Sequence, residues 1–399
     1  MVAPATTLPT SRTKGTAFVL AGILLVALNL RAAITSLGPL LDEVRVGLHF
    51  SGAMAGVVTT MPTIAFAVFG AVTPWLVRRF APSRVLVAAM VALVAGEAVR
   101  VSTGSTAVFV ATSALALAGI AVANILLPLL VRQHFPERTG LITGAYTVSL
   151  TAGATVAAAS AVPIADAFGS WRAGLGAWTL LAAVAVLPWL PILRRRTGAR
   201  AVPTAAGGRV RAGRTRLGWA MAVYFGTQAL SGYATIGWLA QLFRDSGYRP
   251  QSAGLLLAAV TAVGIPVALA MPTLATRLGN LRPLVLVLAV AMISSYVGLA
   301  LAPHGGALAW VVLLAIGQGA FPLSLVVIGL RARTPEGTVA LSAFTQCVGY
   351  LIAALGPLVV GALYEATGGW RIPLVFLIAA ALVQLVAGLA VSRVRYVED

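Results

Sequence analysis

Arg31 is the only charged residue in the apolar run 17–40, AFVLAGILLVALNLRAAITSLGPL. A guanidinium in hydrocarbon costs about 2.5–3.5 kcal/mol on insertion scales, so such a charge persists where protein or water surrounds it. Its planar fork of donors suits a carboxylate, a cyanate or a nitro group. The chemistry on offer is recognition of an anion or an electron-rich group. Asn29 lies two residues earlier and points to another side of the same helix. Other apolar stretches carry Asn124 with Pro128, Tyr146, Gln228, Tyr233, Trp238, Gln318, Gln346 and Tyr350. Each of these nine candidates, Pro128 aside, can hydrogen-bond or stack against a small molecule. The competing roles are a helix kink for Pro128, helix–helix hydrogen bonds for the amides, and an interfacial anchor for Trp238.

Glu97 and Arg100 stand three apart within one apolar run, spaced for a local ion pair. Glu97 is the only acidic residue placed inside a span, which makes it the candidate proton carrier by elimination. Asp42, Glu43 and His49 fall at the mouth of the first span and are expected to be solvated. The three histidines, His49, His134 and His304, fall in separate loops, so the sequence offers no metal constellation. It also offers no phosphate-cradling glycine loop and no nucleophile with a base. No metal, no cofactor and no enzymatic activity are expected.

The elements that must position these residues are membrane helices. The chain has 399 residues, of which 59% are hydrophobic and 10% charged, with a mean hydropathy of +0.96. A soluble chain carries about 25% charged residues. Spans of about 20 residues fall at roughly 17–40, 53–77, 83–103, 106–132, 139–165 and 172–193, then at 217–243, 251–275, 282–302, 306–331, 338–364 and 371–392. These are spans 1 to 12. The polar first 16 residues lack a secretory cleavage pattern, so span 1 reads as a retained helix. The single cysteine, Cys347, excludes an intrachain disulfide.

Basic residues set the orientation. Counting loops from a cytoplasmic N-terminus, 21 of the 28 lysines and arginines fall in cytoplasmic segments and five in outer loops, leaving Arg31 and Arg100 within spans. This bias places both termini in the cytoplasm of a multi-pass inner-membrane protein. It also accounts for the net charge of +18, which is spread over many short loops and so argues against nucleic-acid binding.

The two halves repeat. Leu76-Val77-Arg78-Arg79-Phe80-Ala81 matches Leu274-Ala275-Thr276-Arg277-Leu278-Gly279 at an offset of 198, which Ala55-Gly56 and Ala253-Gly254 keep. Pro136-Glu137 and Trp171-Arg172 recur as Pro335-Glu336 and Trp370-Arg371 at 199. The chain therefore divides into a six-helix half over 1–193, a cytoplasmic, basic, glycine-rich linker over 194–216 that reads as a flexible tether enforcing topology and is also suited to attraction by anionic inner-leaflet lipid, and a second half over 217–399. Duplicated halves with a site between them near the midplane are the architecture of secondary transporters.

The loop after span 2 and its copy after span 8 resemble the L-A-D-R-x-G-R-R signature of the major facilitator superfamily, with Arg78 and Thr276 where that family has its acidic residue. Within it, the chain is similar to the cyanate/nitroimidazole-type (CynX/NimT) transporters. The likeness rests on Leu28-Asn29-Leu30-Arg31-Ala32-Ala33-Ile34-Thr35-Ser36 running to Gly38-Pro39-Leu40-Leu41, on Thr59-Thr60-Met61-Pro62, and on Gly349-Tyr350, Gly356-Pro357, Gly361 and Thr367-Gly368-Gly369-Trp370. Ala32 stands where the family often has proline. The resemblance implies an all-α fold of twelve transmembrane helices in two pseudo-symmetric halves. It implies a cavity lined most directly by spans 1, 4, 7 and 10, with spans 3, 6, 9 and 12 as outer supports. It also implies a monomer that moves a small anion or small polar molecule, with a proton as a possible coupling ion. Two other readings stand beside it: a drug/proton antiporter, whose Gly-Pro signature in span 5 is missing here, and a non-transporting receptor with a transporter fold.

Overall fold

The computed structural model describes residues 11–190 and 211–399; most of the 194–216 linker lies outside them. The described elements are helices. Eleven are long and apolar enough to cross a membrane. The twelfth is span 7, the 30-residue helix Arg216–Asp245. It is the more polar one because it runs through the middle of the bundle, with Thr227, Gln228, Ser231 and Thr235 all buried in protein.

Local chemistry sets the helix ends. Ser51, Ser170, Thr215 and Thr334 cap spans 2, 6, 7 and 11, each side-chain oxygen accepting from a backbone N–H in the first turn. Pro82 and Pro250 open spans 3 and 8, where a missing N–H does no harm. Gly368 ends span 11 with φ of 64°, a left-handed conformation that glycine takes without steric penalty.

Two spans differ from the sequence expectation. Span 1 is helical over Ser11–Thr35 and then gives way to a 3-10 turn, Gly38–Leu40, and a short helix, Leu41–Gly47. Pro39 cannot continue the helical ladder. Span 10 is two helices, Ala307–Gly317 and Ala320–Leu330, separated at Gln318-Gly319. The Gly-Gln-Gly run and Pro322 just beyond it lower helix propensity there.

Spans 1, 3, 4, 5 and 6 pack together, as do spans 7, 9, 11 and 12. The halves meet along spans 2 with 11 and 5 with 8. The repeated glycines make both seams close. A Cβ on Gly361 would stand 3.0 Å from Gly56 Cα, and one on Gly254 would stand 2.7 Å from the Ala158 carbonyl oxygen. The Ala-Gly pair that repeats in sequence therefore sits in both inter-half seams.

The bundle has a basic face, which carries the loops at 80–81, 135–138, 278–281 and 331–334, and an opposite face. On the opposite face one apolar cluster runs across both halves, including Leu40, Val44 and Val58 with Trp238, Leu239 and Leu257. The polar ties between halves are there too. Glu43 pairs with Arg244 at 2.8 Å, Ala53 N–H donates to Glu365 at 2.6 Å, and Gln251 donates to Asp166 at 2.5 Å. Asp42 is bound to Arg45 at 2.9 Å. Asp42 and Glu43 keep 30% and 34% of their side chains exposed at this mouth, and they add to the expected solvation a pairing with Arg45 and Arg244.

Candidate functional site

On the basic-face side of those ties lies a cavity of about 280 Å³. Spans 1 and 5 of the first half and spans 7, 8 and 10 of the second line it. Leu150, Ala154, Ile236, Leu257, Val260 and Phe321 make most of the wall apolar. A hydrogen bond of 2.9 Å between the Thr155 and Thr261 hydroxyls links the halves beside it.

Arg31 lines this cavity. Among the described residues it has no ion-pair partner and its side chain makes no hydrogen bond within the protein. Tyr233 and Tyr350 lie within electrostatic reach of it. Tyr233 lines the cavity, and both tyrosines pack on Phe66, at ring-centroid distances of 6.4 and 5.4 Å. Spans 1, 7 and 11 thus bring a guanidinium within electrostatic reach of two phenols. Span 1 reaches this position by close approach to span 5, where Gly153 sits directly over the Leu28 carbonyl.

Arg100, the other arginine placed within a span of the first half, behaves differently. Arg100 stands 3.6 Å from Glu97 and both are buried. Arg100 also donates to the Ala33 carbonyl of span 1 at 3.4 Å. The spacing of three residues does give the local pair.

The remaining candidates separate into two sets. Gln228 and Gln318 line the cavity and are bonded to each other, Gln228 donating at 2.5 Å. Asn29, Asn124, Tyr146, Trp238, Gln346 and Tyr350 fall outside the cavity lining, although Tyr350 stays close through Arg31. Asn29 is buried and donates to the Leu25 and Leu181 carbonyls, tying span 1 to span 6. Trp238 donates to the Pro357 carbonyl at 3.0 Å and packs on Tyr364 and Trp370, inside the second half. Gln346 donates to Ser342 one turn earlier in its own helix. Asn124 and Tyr146 are half-buried, and Tyr146 packs on the first half's core.

Three groups escaped the sequence reading. Thr147 and Thr151 line the cavity from span 5 and donate to the Thr143 and Thr147 carbonyls. Thr143, Thr147, Thr151 and Thr155 recur every four residues, the spacing of one helix face, so the signal was present. Thr35 lines the cavity and donates to the carbonyls of Arg31 and Ala154. Gln384, the one amide in apolar span 12, donates to Gln228 at 3.0 Å.

A cavity between two helical halves, with the Arg31 guanidinium in its wall, is an arrangement for holding small molecules in a membrane. The model of the Major Facilitator Superfamily matches residues 19–357. The chain belongs to the major facilitator superfamily. It is 33% identical to the 2-nitroimidazole transporter of Escherichia coli (strain K12), over 94% of this chain and 95% of that one. It is 27% identical to the cyanate transport protein CynX of the same organism, over 94% and 97%. These likenesses place this superfamily member with the cyanate/nitroimidazole type. In fold it is similar to a bacterial homologue of the human lysosomal transporter Spinster, solved in an inward-facing, occupied conformation, with a TM-score of 0.76, 15% identity and 98% of each chain covered. This superfamily member is a multi-pass membrane transporter of small molecules, not an enzyme, and its fold is twelve helices in two halves.

Proposed function

We propose that this protein is a secondary transporter carrying a small anion or small polar molecule across the cytoplasmic membrane, with Arg31 holding the substrate's negative or electron-rich end. The observation that carries this reading is the state of Arg31. It stands in the wall of the inter-half cavity with no carboxylate beside it among the described residues. The substrate is then the partner that offsets its desolvation.

The halves 1–193 and 217–399, joined through 194–216, rock about the cavity, alternately opening its two ends. The basic face is cytoplasmic, with both termini. The polar ties on the opposite face and the cavity on the basic side support an inward-open state. The transporter acts as a monomer, and if a proton drives it, Glu97 is not the carrier, because it is held against Arg100 within span 3 and does not line the cavity between the halves. Purified protein in liposomes tests the function. Saturable flux of a small organic anion or nitro compound, lost in Arg31→Ala, is the expected result. Binding without flux would make the protein a receptor, and normal flux in Arg31→Ala would remove the anion reading.

A further inference from the structure

Three glutamines from three spans form one directed chain. Gln384 Nε2 of span 12 donates to Gln228 Oε1 of span 7 at 3.0 Å, and Gln228 Nε2 donates to Gln318 Oε1 of span 10 at 2.5 Å. Gln384 and Gln228 are 2% and 1% exposed. An amide has one carbonyl and one NH2. With the Gln318 carbonyl engaged by Gln228, its NH2 is the group left for the cavity that Gln318 lines.

The backbone points the same way. Gln318 and Gly319 are the break in span 10, between Ala307–Gly317 and Ala320–Leu330. Irregular backbone at membrane depth is tolerated where it borders a cavity, and interrupted helices mark transporter sites. Gly232 supplies the floor under this amide: a Cβ there would stand 3.3 Å from Gln318 Oε1. Arg31 is likewise a pure donor, and it comes from the opposite half. Between the two the wall is mostly apolar. The cavity, at about 280 Å³, has room for a ring-sized molecule and far more than a three-atom anion needs.

We infer that Gln318 holds a second, hydrogen-bond-accepting group of the substrate, and that the cargo is a ring-sized organic anion or nitro compound with acceptor groups at two separate points. Arg31 takes one and Gln318 the other, so a correct cargo bridges the two halves. Gln228 and Gln384 are positioning residues that fix which face of the Gln318 amide meets the cargo. This assignment rests on the transporter reading above and adds the cargo's second contact.

Matched ligands test it. Binding of 3- and 4-acetylbenzoate is compared with that of 3- and 4-isopropylbenzoate on the purified full chain, by calorimetry. Each pair has nearly the same shape and the same carboxylate, and differs by one carbonyl oxygen. An apolar wall alone favours the isopropyl compound. The Gln318 contact predicts that at least one acetyl isomer binds about five- to tenfold tighter than its isopropyl twin. In Gln318→Leu that ratio should fall to one or below. In Gly232→Ala, which keeps all three glutamines but crowds the amide, the ratio should also fall, which covers the case of a Gln318 variant that does not fold. In Arg31→Lys both affinities should drop together and the ratio should persist.

Equal or tighter isopropyl binding in the parent protein overturns the inference, as does a ratio that survives in both Gln318→Leu and Gly232→Ala, or no binding of any of the four acids. If Arg31→Lys changes neither affinity while Gln318→Leu abolishes the ratio, the Arg31 reading fails and the Gln318 contact stands.

Discussion

Arg31 and Arg100 are the two arginines of the first half placed within spans, and they meet the cost of burial in different ways. Arg100 pairs with Glu97 one turn away and bonds to the Ala33 carbonyl of the neighbouring helix. Its counter-charge lies inside the first half. Arg31 stands in the cavity wall within electrostatic reach of two phenols, with no carboxylate partner among the described residues. A charge with a resident partner fixes structure, whereas one without a partner is kept for something that comes and goes. The type of residue is the same, and the surroundings decide its role.

The widest test of that contrast is Arg31→Ala against Arg31→Lys. Alanine should abolish saturable transport and ligand binding. It should leave the melting temperature level or higher, since an intramembrane charge is removed. Lysine keeps the charge and loses the bidentate fork, so it should bind at least tenfold more weakly in the same fold. Calorimetry and melting curves on the same preparations check both. An Arg31→Ala protein that melts much lower would show that this arginine, like Arg100, is structural.

The converse experiment breaks the other pair. Arg100→Met leaves Glu97 buried without its cation, and removing one partner of a buried pair costs about 3–5 kcal/mol. The double variant Glu97→Leu/Arg100→Met should recover most of that loss, because apolar side chains of similar volume replace buried ion pairs at little cost. Glu97→Gln should lower stability while leaving any dependence of transport on a pH gradient in place. Urea or thermal unfolding in detergent measures the first two, and flux under an imposed gradient the third. Loss of that dependence in a well-folded Glu97→Gln protein would make Glu97 the proton carrier after all.

The contrast explains which parts of this molecule a sequence can reveal. Twelve apolar runs, the basic loops and the repeat at 198–199 are properties of composition and spacing, and the helices follow them. The Glu97–Arg100 pair is also local, three residues apart on one helix. The site is not local. Gln228, Gln318 and Gln384 lie on three spans, and nothing in their spacing says that they bond. Asn29 and Trp238 read as equally good candidates, yet Asn29 faces span 6 and Trp238 faces span 11. The break in span 10 was written in Gly317-Gln318-Gly319, but a membrane helix tolerates glycine often enough to hide it.

A smaller perturbation sharpens the comparison, because a third kind of charge lies between the two. Among the described residues Arg31 has no ion-pair partner and Arg100 has one in its own half, whereas Glu365 and Asp166 have hydrogen-bond partners in the opposite half. Glu365 accepts from the Ala53 backbone N–H, and Asp166 accepts from Gln251. The offsets of the repeat connect them: 53 and 251 differ by 198, and 166 and 365 by 199. Each acid stands in the last turn of one seam helix and grips the first turn of its partner helix. These bonds exist only while the opposite face is closed, so they bias the conformational equilibrium and leave the stability of each half alone. An exposed hydrogen bond is worth about 0.5–1.5 kcal/mol, so Asp166→Ala and Glu365→Ala, which remove the acceptor, should each shift the population roughly two- to tenfold toward opening. Their repeat relationship predicts similar shifts, and the double variant should show the product. Spin labels at 104 and 305 report it, since side chains there have open space around them, once the exposed Cys347 is replaced by serine. The distance between the labels should gain a longer population in each variant, most of all in the double one, at an unchanged melting temperature. An unchanged distance distribution would reduce the two carboxylates to surface caps. A drop in melting temperature with no change in distance would place them with Glu97 as structural charges.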